Sequence, residues 1–499
     1  MELKEGLEQL EELQRKLYAF RAACSALYLD GVTTAPSDTE QGRGVALGIL
    51  AGEEHKLMSD PQLGALLEQL WERREALDQV HLRQVEELRR RHARLVRIPA
   101  QEYMEYAMLT SQASAVWHQA KEQSDFSLFQ PVLEQLVAYN IKFAGYYDPE
   151  KAPYDALLQE YERGVDMAAL DQFFATLRER LVPVIQAIGA QEQPDDSFLF
   201  RHYPLEDQRR FSDYLMEVLR LDRAHCAIGE TEHPFTLNFN SQDVRITTKY
   251  NPNQVAESMY SVIHEGGHAL YELGVDPALD YTCVGGGVSM GVHESQSRFY
   301  ENLIGRSLPF LQAIYPKMQE IFPQQLGDVT VEQFYRAVNK AQPSLIRIDA
   351  DELTYSLHVM VRYEIEKQLI GGTLAVADIP QTWNRLYKEY LGVEVPDDRS
   401  GCLQDSHWSG GSFGYFPSYA LGSAYGVQML RAMERDIDVW GTVAQGDLSQ
   451  VNGWLGEKIH RFGSLVEPAQ LVRQACGEAF DPVAYTDYLV EKYSRLYNL

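Results

Sequence analysis

Residues 261–274 read SVIHEGGHALYELG, a helix carrying His264 and His268 four residues apart. Both rings then project from one face, one turn apart, as two metal ligands require. Glu265 lies beside the first histidine, placed to contact a water on the metal. Zinc makes such a water acidic enough to lose a proton near neutral pH, and the neighbouring carboxylate accepts that proton and hands it to a leaving amine. The chemistry implied is amide hydrolysis. Gly266 and Gly267, in the middle of this helix, cost it about 2 kcal/mol relative to alanines. Coordination needs neither, so a backbone must approach Gly267 closely. The expected neighbour is the helix carrying Glu294 or the Gly285–Gly287 loop before it.

Two histidines leave a catalytic zinc one protein ligand short. The long metzincin motif would need a glycine at position 271 and a histidine at 274, but Tyr271 and Gly274 stand there, which excludes that class. A carboxylate on a second helix is the remaining common solution. Downstream, SMGVHESQSRFYENLIG at 289–305 has Ser289 as a cap and helical periodicity, and Glu294 is the third ligand expected. His293 is the alternative. Adjacent helical side chains diverge by about 100°, so only one of the two faces the metal.

Upstream of the histidine helix, HPFTLNFNSQDVRITTKY at 233–250 departs from helical spacing. Phe235–Phe239 and Val244–Thr248 read as short strands around a polar turn, a small hairpin beside the metal site. An open edge there would take an extended peptide by strand addition; packing against a helix is the competing use. Elsewhere helical periodicity dominates, as in Leu3, Leu7, Leu10 and Leu17, or Leu170, Phe173, Phe174, Leu177 and Leu181. Pro99 suits a first helical turn, Thr330 with Gln333 makes a capping box, and Gly371-Gly372 closes a run from Leu353. The expected fold is mainly α, with separate helices. The Arg-rich RRRHARLVR at 89–97 reads as a solvated helical face rather than an anion site. Pro194-Asp195-Asp196 and Pro396-Asp397-Asp398 read as loops within one fold.

The whole chain sets outer limits. Its 499 residues carry 72 acidic against 45 basic side chains, a net charge of −27, which disfavours nucleic acid as the main partner. Cys24, Cys226, Cys283, Cys402 and Cys476 are scattered, odd in number and form no CxxC pair, which fits a reducing cytoplasm. The N-terminal MELKEGLEQLEELQRKLYAF has no uncharged apolar core, and no stretch approaches about 20 apolar residues, so neither signal peptide nor membrane span is expected.

These motifs, taken in order, resemble the M32 metallocarboxypeptidases, the carboxypeptidase Taq family. HPF stands at His233–Phe235, DxRxT at Asp243–Thr247, HExxH at His264–His268, HESQ at His293–Gln296, IRxxAD at Ile346–Asp351 and GxxQDxHW at Gly401–Trp408. The resemblance covers almost the full length and implies one catalytic domain, 1–499, with an N-terminal helical lid region of about 1–150. It implies a large helical zincin-type fold and a deep substrate groove. At its floor lies a metal, Zn2+ or sometimes Co2+, on His264, His268 and Glu294, with Glu265 as general base. The implied activity is release of C-terminal residues from peptides with broad specificity, by a homodimer.

Other roles rest on chemistry. A carboxypeptidase must recognise a terminal carboxylate, and a forked guanidinium is its natural partner, so Arg245 and Arg347 are candidates. Either would instead hold the fold through Asp243, Asp349 or Asp351. The Gly-rich stretch 401–426 brings His407, Tyr415 and Tyr419 as candidate oxyanion donors, with His233 a further one. Tyr425, His55, His118 and His460 read as ordinary packing. Two other functions compete: a helical zinc oligoendopeptidase with the same site, and a non-catalytic peptide-binding protein with a structural metal. Glu265 speaks against the second, since a closed four-ligand zinc has no use for a neighbouring base.

Overall fold

A computed structural model describes residues 2–499, with the side chain of 37 left out. It is 70 % helical with one small sheet. The stripes and caps read from the sequence lie where expected. Leu10 and Leu17 are buried along a helix Leu3–Thr33, and Leu170–Leu181 line Met167–Gly189. Pro99 immediately precedes Ala100–Gln123, and Thr330 with Gln333 closes a reciprocal capping box. Gly371 follows Glu352–Ile370, a helix buried on nearly every side, as its continuous apolar and small residues dictate.

The apolar interior of the described residues divides in three. Leu10, Leu17, Met58, Leu63, Leu67, Leu70, Val85 and Leu88 form a small core among the N-terminal helices, Val275, Leu279 and Val284 form a smaller one, and most other buried residues from Leu109 onward join the main core. The helices Ala100–Gln123 and Phe126–Tyr147 therefore pack with the catalytic body. Within 89–97 the face is only partly solvated: Arg90 and Arg91 pair with the buried Glu87, Arg94 pairs with Glu160, and Arg97 is exposed.

The hairpin is present but belongs to a three-stranded sheet. Strands β1 (Cys226–Glu230), β2 (Thr236–Asn240) and β3 (Asp243–Thr248) lie in the order β1-β3-β2, with β1 parallel and β2 antiparallel to β3. Sequence reasoning missed β1 because CAIGE is short, holds a glycine and buries only Cys226. β2 is an edge. The sheet packs on the helix Val255–Leu273, which carries HExxH.

Candidate active site

His264, His268 and Glu294 converge, with ligand atoms all within 4.8 Å of one another. His268 Nε2 stands 3.7 Å from Glu294 Oε2, and side-chain exposures of 19, 16 and 10 % leave the cluster largely enclosed but reachable. Bonds of about 2.0–2.1 Å to a tetrahedral ion set its donors about 3.4 Å apart, so two imidazoles and a carboxylate at these spacings fit a divalent metal.

What lies behind the ligands fixes which atoms face inward. His264 Nδ1 donates to Glu301 Oε2 at 2.8 Å, and Glu301 also receives Arg298 at 3.2 Å and Arg306 at 3.3 Å. Burial alone would raise the Glu301 carboxyl, but these cations hold it well below its usual range. On the other histidine, His293 Nε2 donates to Glu272 Oε1 at 2.7 Å, so its Nδ1 accepts from His268 Nδ1 at 2.6 Å. Both ligand histidines thus present Nε2 to the cluster, each backed by a second group that orients the ring. His293 is occupied behind His268, which separates it from Glu294. Burial pushes the His268 imidazole well down, toward the neutral, ligating form. Burial also opposes charge on His264, but Glu301 and Glu294 outweigh it and raise that group.

Glu294 and Glu301 come from one continuous stretch. The helix Met290–Arg298 is capped by Ser289, whose Oγ accepts from Val292 N at 3.1 Å, and runs into a π-helical segment Phe299–Ile304. Arg298 Nε binds Glu294 Oε1 at 2.7 Å, leaving Oε2 for the cluster. This helix is clamped between two others by glycines. A Cβ on Gly267 would lie 2.6 Å from Gln296 O and 2.8 Å from Ser297 Cα, so the close approach expected at Gly267 is present, made by the Glu294 helix. On the opposite side, a Cβ on Gly422, in Pro417–Asp436, would lie 2.7 Å from Glu294 Cβ.

Glu265 is buried, and Thr236 of β2 donates to its Oε2 at 2.6 Å. Burial raises the Glu265 carboxyl against the opposing pull of His264 and Thr236. Asn238, two residues along β2 and on the same face, binds Glu272 at 2.5 Å. Arg245 lies opposite Leu237 in the register, hence on the face turned from the HExxH helix, where it forks onto Asp243 at 3.0 and 2.9 Å. His233 is exposed at the entry to β2. Neither joins the cluster.

Arg347 is buried. It binds Asp405 Oδ1 at 3.1 and 2.7 Å and Tyr355 OH at 3.0 Å, and its guanidinium lies 4.8 Å from the Tyr419 ring centroid. Its partner is thus Asp405 of GxxQDxHW, neither Asp349 nor Asp351. Arg362 binds the other oxygen of Asp405 at 2.6 Å, and burial notwithstanding the two arginines hold that carboxyl well below its usual range. His407 Nε2 contacts Tyr419 OH at 3.3 Å, and Tyr415 packs edge-on to Tyr419 at 5.2 Å. Burial pushes the His407 imidazole down to about 4 and raises Tyr415, where the Glu294 charge acts in the same direction. The structure therefore gathers Arg347, His407, Tyr415 and Tyr419 into one group beside Glu294. Tyr425 is buried and bonds Glu162.

Thr236, Glu272, Arg298, Glu301, Tyr355 and Asp405 were missed in the sequence. Only Arg298 and Glu301 left a usable signal, one and two turns beyond Glu294 on the same helical face.

Known proteins match this arrangement over its whole length. Residues 9–493 match the family described as Carboxypeptidase Taq (M32) metallopeptidase. Carboxypeptidase 1 of Bacillus subtilis is 39 % identical over 501 residues, covering 100 % of both chains. Thermostable carboxypeptidase 1 of Thermus thermophilus is 38 % identical over 98 % of both. A crystal structure of the M32 carboxypeptidase from Deinococcus radiodurans R1 superposes with a TM-score of 0.95 at 36 % identity, covering 99 % of this chain and 100 % of that one. With the fold, the ligand cluster and the ordered motifs in agreement, the chain belongs to the carboxypeptidase Taq (M32) family of metallopeptidases.

Proposed function

We propose that this metallocarboxypeptidase removes C-terminal residues from peptides of broad sequence with Glu265 as general base and His264, His268 and Glu294 as metal ligands. Family membership makes the chain a metal-dependent carboxypeptidase and does not support the endopeptidase alternative. The single observation that carries the residue roles is the convergence of three ligand atoms within 4.8 Å, next to a buried carboxylate that needs no place among them.

A divalent metal bound there would polarise the scissile carbonyl and acidify the attacking water. The donor set, two imidazoles and one carboxylate, favours Zn2+, with Co2+ second. Thr236 fixes one oxygen of Glu265, leaving the other to take a proton from the attacking water and deliver it to the leaving amine. Tyr415, Tyr419 and His407 stabilise the developing oxyanion, with His233 a more distant donor at the open end of β2. Arg347 receives the substrate's terminal carboxylate in preference to Arg245: its terminal nitrogens keep free N–H groups, while Arg245 lies on the far face of the sheet.

Residues 1–499 act as one catalytic domain, with the N-terminal helices as a lid; of the region of about 1–150, Ala100–Gln123 and Phe126–Tyr147 pack with the catalytic body and the helices before them form the separate small core. We assign a cytoplasmic homodimer acting on peptides and not on nucleic acid or membranes. The five cysteines are free, and among the described residues no helix is long and apolar enough to cross a membrane. Blocked dipeptides and longer peptides, each with free and amidated C-termini, test the anchoring of the carboxylate. The free acids should be shortened from the C-terminus and the amides should lose most of the rate; equal rates on both would refute it.

A further inference from the structure

We propose that Glu366 is a positioning residue of the active site, holding His407 and Tyr415 in place through the backbone and indole groups next to them in the chain. The inference rests on the reading above that this loop stabilises the developing charge.

Glu366 is fully buried in the helix Glu352–Ile370. Its Oε1 accepts from Trp408 Nε1 at 2.8 Å, and its Oε2 accepts from Gly414 N at 2.8 Å and Tyr154 OH at 2.8 Å. Trp408 directly follows His407, and Gly414 directly precedes Tyr415. One carboxylate therefore grips the loop at two points, each adjacent to a proposed site residue. Gly414 meets it with φ +91°, a conformation L side chains rarely adopt, and a Cβ there would stand 3.1 Å from the Leu157 carbonyl carbon. One turn earlier on the same helix, Arg362 binds Asp405. The helix thus holds the loop at Asp405, Trp408 and Gly414, while Tyr154 shares Oε2 with Gly414 as the third donor to the carboxylate.

Space filling does not explain this residue. A carboxylate surrounded by three neutral donors is costly to bury, and burial pushes it up to about 7. An apolar side chain of similar size would occupy the same volume at lower cost. What the carboxylate adds is direction, because its two oxygens lie in one plane at fixed separation and accept from two different parts of the loop. Reacting groups displaced by about 1 Å lose up to about a hundredfold in rate, so such a brace matters to turnover.

The test is a double-mutant cycle of Glu366→Gln with His407→Ala, following kcat and KM on a blocked dipeptide together with bound metal. Glu366→Gln should lower kcat about tenfold to a hundredfold, with KM and metal content little changed. Combined with His407→Ala it should cost clearly less than the product of the two single losses, because the part of its effect that runs through His407 is already gone and only its hold on Tyr415 remains. Multiplicative losses, or a Glu366→Gln kcat equal to that of the parent while His407→Ala is slow, would overturn the inference. A His407→Ala enzyme with unchanged kcat would instead overturn the reading of the loop on which it rests. Should Glu366→Gln fail to fold, Trp408→Phe removes one loop donor with the carboxylate in place, and the same cycle decides with the same outcomes.

Discussion

The two sides of the active site are built by different means. The side bearing the ligands is a stack of helices brought to backbone contact: Gly267 on one face of the Glu294 helix, Gly422 on the other, each without room for a Cβ. Position there is set by hard contact between regular elements. The opposite side is a Gly-rich loop carrying His407 and Tyr415, with Tyr419 just beyond it in the first turn of Pro417–Asp436, and the loop is held by buried charge: Asp405 between Arg347 and Arg362, and Glu366 on Trp408 and Gly414. The difference teaches that the proposed ligands and the proposed oxyanion donors rest on largely different supports, which meet at the helix Pro417–Asp436, so damage to one should leave the other's signature intact.

The largest effect should come from breaking the helix contact. Gly267→Leu drives a side chain into the backbone at Gln296 and Ser297, a strain that regained helix propensity cannot offset; thermal unfolding should show a collapse in stability or no folded protein. A stable, active Gly267→Leu enzyme would show the contact to be incidental. Next, Glu294→Ala should leave a folded protein that has lost bound metal and activity together, read by metal analysis after gel filtration. Unchanged stoichiometry would move the third ligand to His293. On the loop side, Tyr419→Phe removes one hydroxyl and should lower kcat by about a hundredfold with metal fully retained; loss of metal there would contradict the independence of the two sides. The smallest effect belongs to Arg245→Ala, on the far face of the sheet. Its kcat/KM on a blocked dipeptide should stay within about threefold of the parent, since an exposed ion pair with Asp243 is worth little; a tenfold fall would give Arg245 a place in binding.

The same contrast explains what could be read from the sequence. The ligand side is local and periodic. HExxH and the capped helix at Ser289 announce themselves by spacing, and Gly267 inside a helix signals the close approach that Gln296 supplies, while Gly266 makes room for the Leu219 side chain. The loop side is not local. His407, Tyr415 and Tyr419 could be named from their residue types. Their supports could not, because Asp405 meets Arg347 and Glu366 meets Trp408 across dozens of residues, with no periodicity to connect them. The same holds for Thr236 on Glu265, a contact between strand and helix that register decides and composition does not. Strand β1 escaped for a related reason: its pairing with β3, and not its own sequence, makes it a strand.

The central claim is that three residues hold the metal while Glu265 alone moves the proton. Metal content and turnover measured together on Glu265→Gln test it most directly. Glu265 is not among the converging ligands, so the variant should bind metal at the parent's stoichiometry while kcat on a blocked dipeptide falls by about a thousandfold or more. A variant that keeps the metal and still turns over at a rate near the parent's would contradict the account.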